Sequence, residues 1–130
     1  MNAHDQIQTE QLPDDPDQAI RVLIELGLNL EGALIEENKA LNNRDPDMFQ
    51  AAQEKKRRRF GRYDAASREF RYNLDKFRQS PADLINQLES LQARIKDLTQ
   101  KNMDYMKELT DRAQAAEMGI KPDDIKEGRD

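Results

Sequence analysis

The chain has 130 residues, of which 36% are charged and 36% hydrophobic, and it contains neither cysteine nor tryptophan. The lack of cysteine excludes disulfides and cysteine-ligated metal sites, and the excess of 26 acidic over 21 basic residues argues against a strongly basic, polyanion-binding protein. With only 5% aromatic residues, the composition favours long helices in one domain over a thick globular core.

The N-terminal segment, residues 1–14, has neither the basic nor the apolar region of a secretory signal. No part of the chain is apolar over a length that could cross a bilayer. We therefore expect a disordered N-terminal tail, no membrane span and a cytoplasmic location. The polar end of the chain, residues 119–130, is expected to form a second disordered tail after the last helix.

Helix starts are marked by three proline pairs, Asp15-Pro16, Asp45-Pro46 and Ser80-Pro81. In each pair a side chain that can cap a helix precedes a proline at the first helical position, where the missing N–H costs no hydrogen bond. Ser80 and Asp83 also have the spacing of a capping box. Because the turns are short, neighbouring helices should run antiparallel. The predicted domain, residues 15–118, is an all-α, elongated antiparallel three-helix bundle, or coiled-coil hairpin with a long C-terminal helix, with helices over 16–43, 46–79 and 81–118.

Each predicted helix carries an apolar seam whose residues are spaced alternately three and four apart, as in a heptad repeat. The first seam comprises Ile20, Leu23, Gly27, Leu30, Leu34 and Leu41, with Glu37 or Asn38 in the remaining gap. The second comprises Phe49, Ala52, Lys56, Phe60, Tyr63, Ser67, Phe70, Leu74 and Phe77, with a stutter at Lys56. The third comprises Leu84, Leu88, Leu91, Ile95, Leu98, Asn102, Tyr105, Leu109, Arg112 and Ala116. We expect Asn102 to fix register or oligomeric state.

The second helix contains a basic run made up of Lys55, Lys56, Arg57, Arg58, Arg59 and Arg62. Residues 44–79 have a net charge of +5, whereas residues 1–43 have −7 and residues 80–130 have −3. Consecutive residues point all round a helix, so the run cannot form one phosphate-facing stripe. We interpret it as a face that complements two acidic neighbours, with the basic helix between them, and we do not expect nucleic-acid binding.

No residue pattern in the sequence is typical of catalysis. The one histidine, His4, lies in the tail, and the glutamates at 31, 36 and 37 lack the Glu-x-x-His pairs that metal sites in helical bundles use. The glycines are scattered, so they form no phosphate-binding loop. Gly27 and Gly32 lie inside the first helix, where they indicate a close helix approach or local looseness, with a hinge as the functional alternative. We expect no enzymatic activity, small-molecule substrate, cofactor or metal.

The end of the third helix has more apolar residues than its seam uses. Met103 and Met106 flank Tyr105 and Leu109. Methionine adapts to different partner shapes and is common on surfaces that bind amphipathic helices. Packing against the other two helices explains residues 84–98, but the part beyond Leu98 has less of the chain to pack against. This end is a candidate binding surface, with a homodimer seam as the alternative.

A stretch of the first two helices resembles the FlgN-type flagellar export chaperones. The resemblance lies in Glu36-Glu37-Asn38-Lys39-Ala40-Leu41, then Arg44-Asp45, then Lys55 or Lys56, then Tyr63, with Asn102 and Leu109 matching the last helix loosely. It covers about residues 20–115. It implies a cytoplasmic helical chaperone that binds the C-terminal amphipathic segments of hook-associated proteins, prevents their premature assembly and delivers them to the export apparatus.

The resemblance also implies that the client surface lies on the C-terminal helix, which is the surface that the methionines indicate. The predicted client-binding residues are Leu98, Asn102, Met103, Tyr105, Met106, Leu109, Ala113 and Ala116. Two other hypotheses remain open on the residues alone. One is a self-associating coiled-coil protein, including a homodimer, and the other is a polyanion-binding helical protein that uses the basic run.

Overall fold

The computed structural model describes residues 12–119, and all the regular secondary structure in this range is helical. The helices are α1 (Pro16–Asn43), α2 (Pro46–Tyr72), the single turn α3 (Leu74–Phe77) and α4 (Ala82–Glu117). The prediction of an all-α helical bundle is confirmed. Most of the two predicted tails, residues 1–11 and 120–130, lies outside the described residues.

The first two helices begin where the proline pairs predict. Asp15 accepts a hydrogen bond from the backbone N–H of Gln18 at 3.0 Å, and Asp45 accepts one from Met48 at 3.1 Å. Both prolines occupy the first helical turn. Each aspartate therefore satisfies a backbone donor that the helix itself leaves unpaired.

The turn between α1 and α2 is made by Arg44, which has the left-handed conformation with φ of 52°. Its N–H donates to the Leu41 carbonyl, and the N–H of Asp45 donates to the Ala40 carbonyl at 3.1 Å. These two bonds form a Schellman motif, which usually has glycine at this position. The motif reverses the chain at once and brings α2 back along α1.

The second helix ends at Tyr72, seven residues before the predicted end at residue 79. The side-chain amide of Asn73 donates to the Glu69 carbonyl at 2.9 Å, which satisfies an acceptor at the end of the helix. The short turn α3 then directs Phe77 into the core, where its ring lies 4.5 Å from that of Phe70.

The capping box predicted at Ser80 does not form. The last helix begins at Ala82, and the Pro81 carbonyl accepts from the N–H groups of Leu84 and Ile85. In the part of the chain that the structure describes, the Ser80 hydroxyl is buried without a hydrogen-bond partner. The proline occupies the capping position rather than the first helical position, so the serine is one residue too early to cap.

The acidic helix α1 lies between the other two long helices, and not the basic helix as the charge pattern predicted. Over residues 12–119, α1 packs along both α2 and α4, whereas the backbones of α2 and α4 hardly approach each other. A Cβ on Gly27 would lie 2.5 Å from Leu91 of α4 and 3.0 Å from Tyr63 of α2, so the predicted close approach at this glycine is confirmed.

The directions of the helices follow from their paired residues. Lys55 of α2 meets Glu36 of α1, and positions further along α2 meet positions earlier on α1, so these helices are antiparallel. Arg94 of α4 meets Glu31, and Asn102 meets the later Glu37, so α4 runs parallel to α1. The bundle is therefore up–down–up, with α2 antiparallel to both of its companions.

The main hydrophobic core lies at one end of the bundle, where the start of α1 meets α3 and the start of α4; we call it the core end. Its buried side chains come from these elements, from α2 and from the segment before α1: Leu12, Ala19, Ile20, Leu23, Leu26, Ala66, Phe77, Leu84 and Leu88. Leu12 falls within the predicted N-terminal tail, yet it packs in this core and its N–H donates to Glu69. The opposite end, at the turn between α1 and α2, is the hairpin end.

The seam of α2 differs from its predicted register in one stretch. Arg59, not Phe60, faces α1, and its guanidinium donates to the Asn29 carbonyl at 2.9 Å. The observed seam steps through Lys56, Arg59 and Tyr63, three and then four residues apart, so the predicted stutter is absent. Phe60 is turned outward and is 54% exposed. Leu74, the other misassigned seam residue, is also exposed.

Candidate interaction surface

A buried polar layer joins the three long helices near the hairpin end. Glu37 of α1 is only 1% exposed, and its carboxylate accepts from Lys56 of α2 at 2.6 Å and from the side-chain amide of Asn102 of α4 at 3.0 Å. A third of the Lys56 side chain stays exposed, so part of it packs inside the bundle while the rest reaches solvent. Each of the three helices thus contributes one member of the layer.

Asn102 satisfies both halves of its amide within the chain. Its NH₂ group also donates to the Leu34 carbonyl at 2.9 Å, and its oxygen accepts from Asn38 at 2.9 Å. Asn102 is 1% exposed and lies inside the bundle, so it is not on the surface where a client could bind, contrary to its place in the predicted set. Its position fits the predicted role in register, because sliding α4 by one turn would take the Asn102 amide away from the buried Glu37 carboxylate.

The basic run of α2 divides between two roles. Lys55 pairs with Glu36, Lys56 with Glu37, and Arg59 binds the backbone of α1, as expected for a basic helix beside an acidic one. Arg57 and Arg58 are exposed and have no ion-pair partner within residues 12–119. Arg62 is also exposed. The structure therefore commits half of the run to internal pairing with α1.

A further ion pair fixes α4 on α1. The Arg94 guanidinium meets the Glu31 carboxylate with Nε at 2.7 Å and a second nitrogen at 3.4 Å. This hydrogen bond raises the pKa of Arg94; burial opposes the increase in part, and the charge of Glu31 adds a smaller increase. Because the pKa is raised further above neutrality, Arg94 stays charged near neutral pH, and this shift gives the pairing no pH dependence there.

An apolar pocket of about 430 Å³ lies at the hairpin end. Met106 and Leu109 of α4 form one wall, and Leu41 and Phe49 from the two sides of the α1–α2 turn form the other. Arg44 and Asp45 of the turn lie at its edge. Two of the predicted client-binding residues thus lie in a shallow, open and mostly apolar site.

A second concavity, of about 480 Å³, opens between α2 and α4 in the middle of the bundle. Leu30 and Leu34 of α1 form its floor, Ile95 lies on the α4 side, and Phe60 and Arg57 lie on the α2 side. It exists because α2 and α4 both pack on α1 without closing on each other. The exposed ring of Phe60 is therefore next to a gap in the bundle, and not merely on an outer surface.

The remaining predicted client-binding residues are spread along α4. Met103 is exposed by 59%, Leu98 and Tyr105 are half-buried, and Ala113 and Ala116 are exposed beyond the level of the turn. The structure brings Met106 and Leu109 into one pocket, whereas the other predicted residues do not line it. That these residues bind a client stays a prediction.

Sequence reasoning missed the contributions of α1 and α2 to these concavities. Leu41 and Phe49 were assigned to seams, and Phe60 was placed in the interior. The signal that could have revealed Phe60 was the spacing itself, because Arg59 restores the regular three–four pattern between Lys56 and Tyr63. The predicted seam contains the aromatic Phe60 in place of the cationic Arg59.

Within residues 12–119, no cluster of three or more histidine, cysteine, aspartate or glutamate side chains is placed to hold a metal ion. None of the helices in that range is both long and apolar enough to cross a membrane.

No protein-family model, curated protein or solved structure matches the chain.

Proposed function

We propose that the protein is a cytoplasmic export chaperone of the FlgN type, which binds the C-terminal amphipathic helical segments of flagellar hook-associated proteins and delivers them to the export apparatus. It holds a client's apolar face and so prevents premature self-assembly. The client pays its ordering entropy only on docking, which suits a reversible handover.

The observation that carries the proposal is the apolar pocket at the hairpin end. It combines Met106 and Leu109, predicted from the sequence to contact a client, with Leu41 and Phe49 at the turn. The resemblance to the chaperone family also rests on residues beside this turn, from Glu36 to Asp45. A pocket of aliphatic and thioether groups suits the apolar face of a helix.

Self-association receives less support from the same residues. The seam residue Asn102, which could have marked an intermolecular coiled coil, has all its hydrogen-bond partners inside the chain. Likewise, Glu37 accepts from two donors of its own chain. The seams are thus already used to hold α1, α2 and α4 together.

The test is binding of a labelled C-terminal segment of a hook-associated protein to the full chain, followed by fluorescence anisotropy and light scattering. We expect a defined complex, and we expect Met106→Glu with Leu109→Glu to weaken binding by about a hundredfold, because two charges then face the client's apolar side.

The control is Leu28→Glu, which places one such charge on an exposed apolar position of the outer face of α1. It should bind the client like the unchanged protein. Circular dichroism of every variant separates lost binding from lost folding. If the segment binds equally well to the Met106/Leu109 double variant, or does not bind the unchanged protein, the proposal is wrong.

A further inference from the structure

The gap between α2 and α4 runs along most of the bundle. Besides the pocket at the hairpin end and the middle concavity, a third concavity of about 450 Å³ lies at the core end between Phe70 and Leu74 on one side and Ile85 and Gln92 on the other. All three have α2 or α3 on one side and α4 on the other. We call this row of concavities the side groove.

The three concavities follow one another in order along the same helices. Passing from the hairpin end to the core end, the side groove meets Phe49, then Phe60, then Phe70, while on α4 it meets Met106 and then Ile95. The order ascends along α2 and descends along α4, as it must for antiparallel walls. Residues of α1 line the first two concavities, through Leu41 and through Leu30 and Leu34, whereas Phe77 and Leu88 line the third.

The length of the side groove matches a single helix. From Phe49 to Phe70 the wall spans 21 residue steps, or about 32 Å at 1.5 Å per residue. A helix of about 20 residues would fill it. With three helices arranged up–down–up, one more helix between α2 and α4 would complete a four-helix bundle.

The charges in the middle of the side groove favour an occupant that carries carboxylates. Lys56 and Arg57 are the charged residues that line this section, and both are basic. Lys56 is already neutralised by Glu37, whereas Arg57 has no ion-pair partner among the described residues. A carboxylate on the occupant, opposite Arg57, would complement this charge, while Phe60 would cover its apolar side chains.

We propose that the side groove binds an amphipathic helical segment of about 20 residues that has an apolar stripe and carboxylates along one flank, as a fourth helix of the bundle. Resting on the proposed function, this names the chemistry of the client segment. The apolar stripe packs on Phe60 and Ile95, above the buried Leu30 and Leu34, and a carboxylate near mid-helix pairs with Arg57.

The probe is a designed helical peptide of about 20 residues with leucines at heptad spacing and glutamates along one flank. Its matched partner has lysine in place of every glutamate. Each is labelled and titrated with the full chain, with anisotropy as the measure of affinity, circular dichroism as the measure of helix formation, and sedimentation velocity as the measure of stoichiometry.

We expect the acidic peptide to form a one-to-one complex with gain of helix, and the basic peptide to bind at least about tenfold more weakly. Arg57→Glu and Phe60→Ser should each lower the affinity of the chain for the acidic peptide by about tenfold. Both residues are exposed, so both variants should remain folded.

Two neighbours provide matched controls. Arg58→Glu makes the same charge change one residue away, at an exposed position outside the side groove, and Tyr72→Ser removes an exposed aromatic ring outside it. Each should change the affinity less than about twofold. The comparison of Arg57 with Arg58 separates a directed ion pair from the general positive charge of α2.

Several results would overturn the inference. These are equal binding of the acidic and basic peptides, equal effects of Arg57→Glu and Arg58→Glu, no binding of the acidic peptide up to about 1 mM, or a dimer of the chain that Phe60→Ser dissociates. In the last case a second copy, and not a partner helix, occupies the side groove.

The outcomes also distinguish this inference from the proposed function. If a hook-associated segment binds through Met106 and Leu109 but ignores Arg57→Glu and Phe60→Ser, the export role stands and the side groove does not bind the client. If the designed acidic peptide binds as expected but hook-associated segments do not, the side groove stands and the export role is wrong.

Discussion

The two ends of the bundle are packed by different kinds of residue. At the core end, Ile20 and Leu23 of α1 are fully buried beside Phe77, Leu84 and Leu88 from the segments that close over them. At the hairpin end, the interior is the polar layer of Glu37, Lys56 and Asn102, and apolar side chains face an open pocket. The core end supplies burial, while the hairpin end supplies register and an accessible surface.

The helix α1 contributes both to the buried core at one end and to the accessible pocket at the other. α1 keeps a regular seam over its whole length, but its companions change along it. Near the core end, α3 and the start of α4 add cover to α1. Near the hairpin end α2 and α4 stand apart, so the apolar residues there are less covered and remain available for a partner.

The largest expected effect comes from removing apolar volume at the core end. Leu23→Ala should lower the free energy of unfolding by about 3–5 kcal/mol, because it leaves a cavity in a site that cannot collapse. Leu109→Ala, at the hairpin end, should cost only about 1 kcal/mol, because that side chain is half-buried. Urea unfolding followed by circular dichroism measures both. Equal costs would mean that the two ends are packed alike.

The next effect concerns the polar layer. Asn102→Leu should destabilise the protein by about 2–3 kcal/mol, because it removes a donor from the buried Glu37 carboxylate and from the Leu34 carbonyl. Replacing the whole layer, with Glu37→Leu, Lys56→Met and Asn102→Leu together, should restore most of this loss, since no buried charge remains. Urea unfolding followed by circular dichroism measures the free energy of unfolding of each variant.

Light scattering of the same Asn102→Leu variant tests where its partners are. The oligomeric state should not change, because the hydrogen bonds of Asn102 lie within one chain. A change of oligomeric state on this substitution would show that the seam is shared between chains. It would also favour the coiled-coil hypothesis over the export chaperone.

A smaller effect tests how closely the helices approach midway between the ends. Gly27→Ala should destabilise the protein by about 1–2 kcal/mol, because the new methyl group would meet both Leu91 and Tyr63. Gly32→Ala is the control: its nearest neighbour would be Arg59 at 3.7 Å, an ordinary contact. It should stabilise α1 by up to about 1 kcal/mol through helix propensity. Thermal unfolding shows whether each substitution lowers or raises the stability.

The smallest effect comes from the exposed ion pair beside the polar layer. A double-mutant cycle on Lys55 and Glu36, each changed to alanine, should give a coupling energy of about 0.2–0.5 kcal/mol, because both side chains are 42% exposed. The same cycle on Lys56 and Glu37 should give a clearly larger value, since Glu37 is buried. Similar couplings would mean that burial at the polar layer has little effect.

The sequence alone predicts the helical class, the first helix and the starts of the first two helices. Asp15 and Asp45 act on their own first turns, and a cap of this kind needs no distant partner. The seam of α1 was also readable, because a helix that lies between two others buries one wide stripe whatever its neighbours are. Of the residues that line the pocket at the hairpin end, the sequence singled out only Met106 and Leu109 as candidates for binding a client.

Packing between the helices sets which helix lies in the middle and which residues are left exposed. Periodicity shows which stripe of a helix is apolar, but it does not show which neighbour covers that stripe. The choice of Arg59 over Phe60 in the seam depended on a carbonyl of α1, thirty residues earlier in the chain. The side groove likewise exists because α2 and α4 both pack on α1 but not on each other, a relation between helices that no single helix encodes.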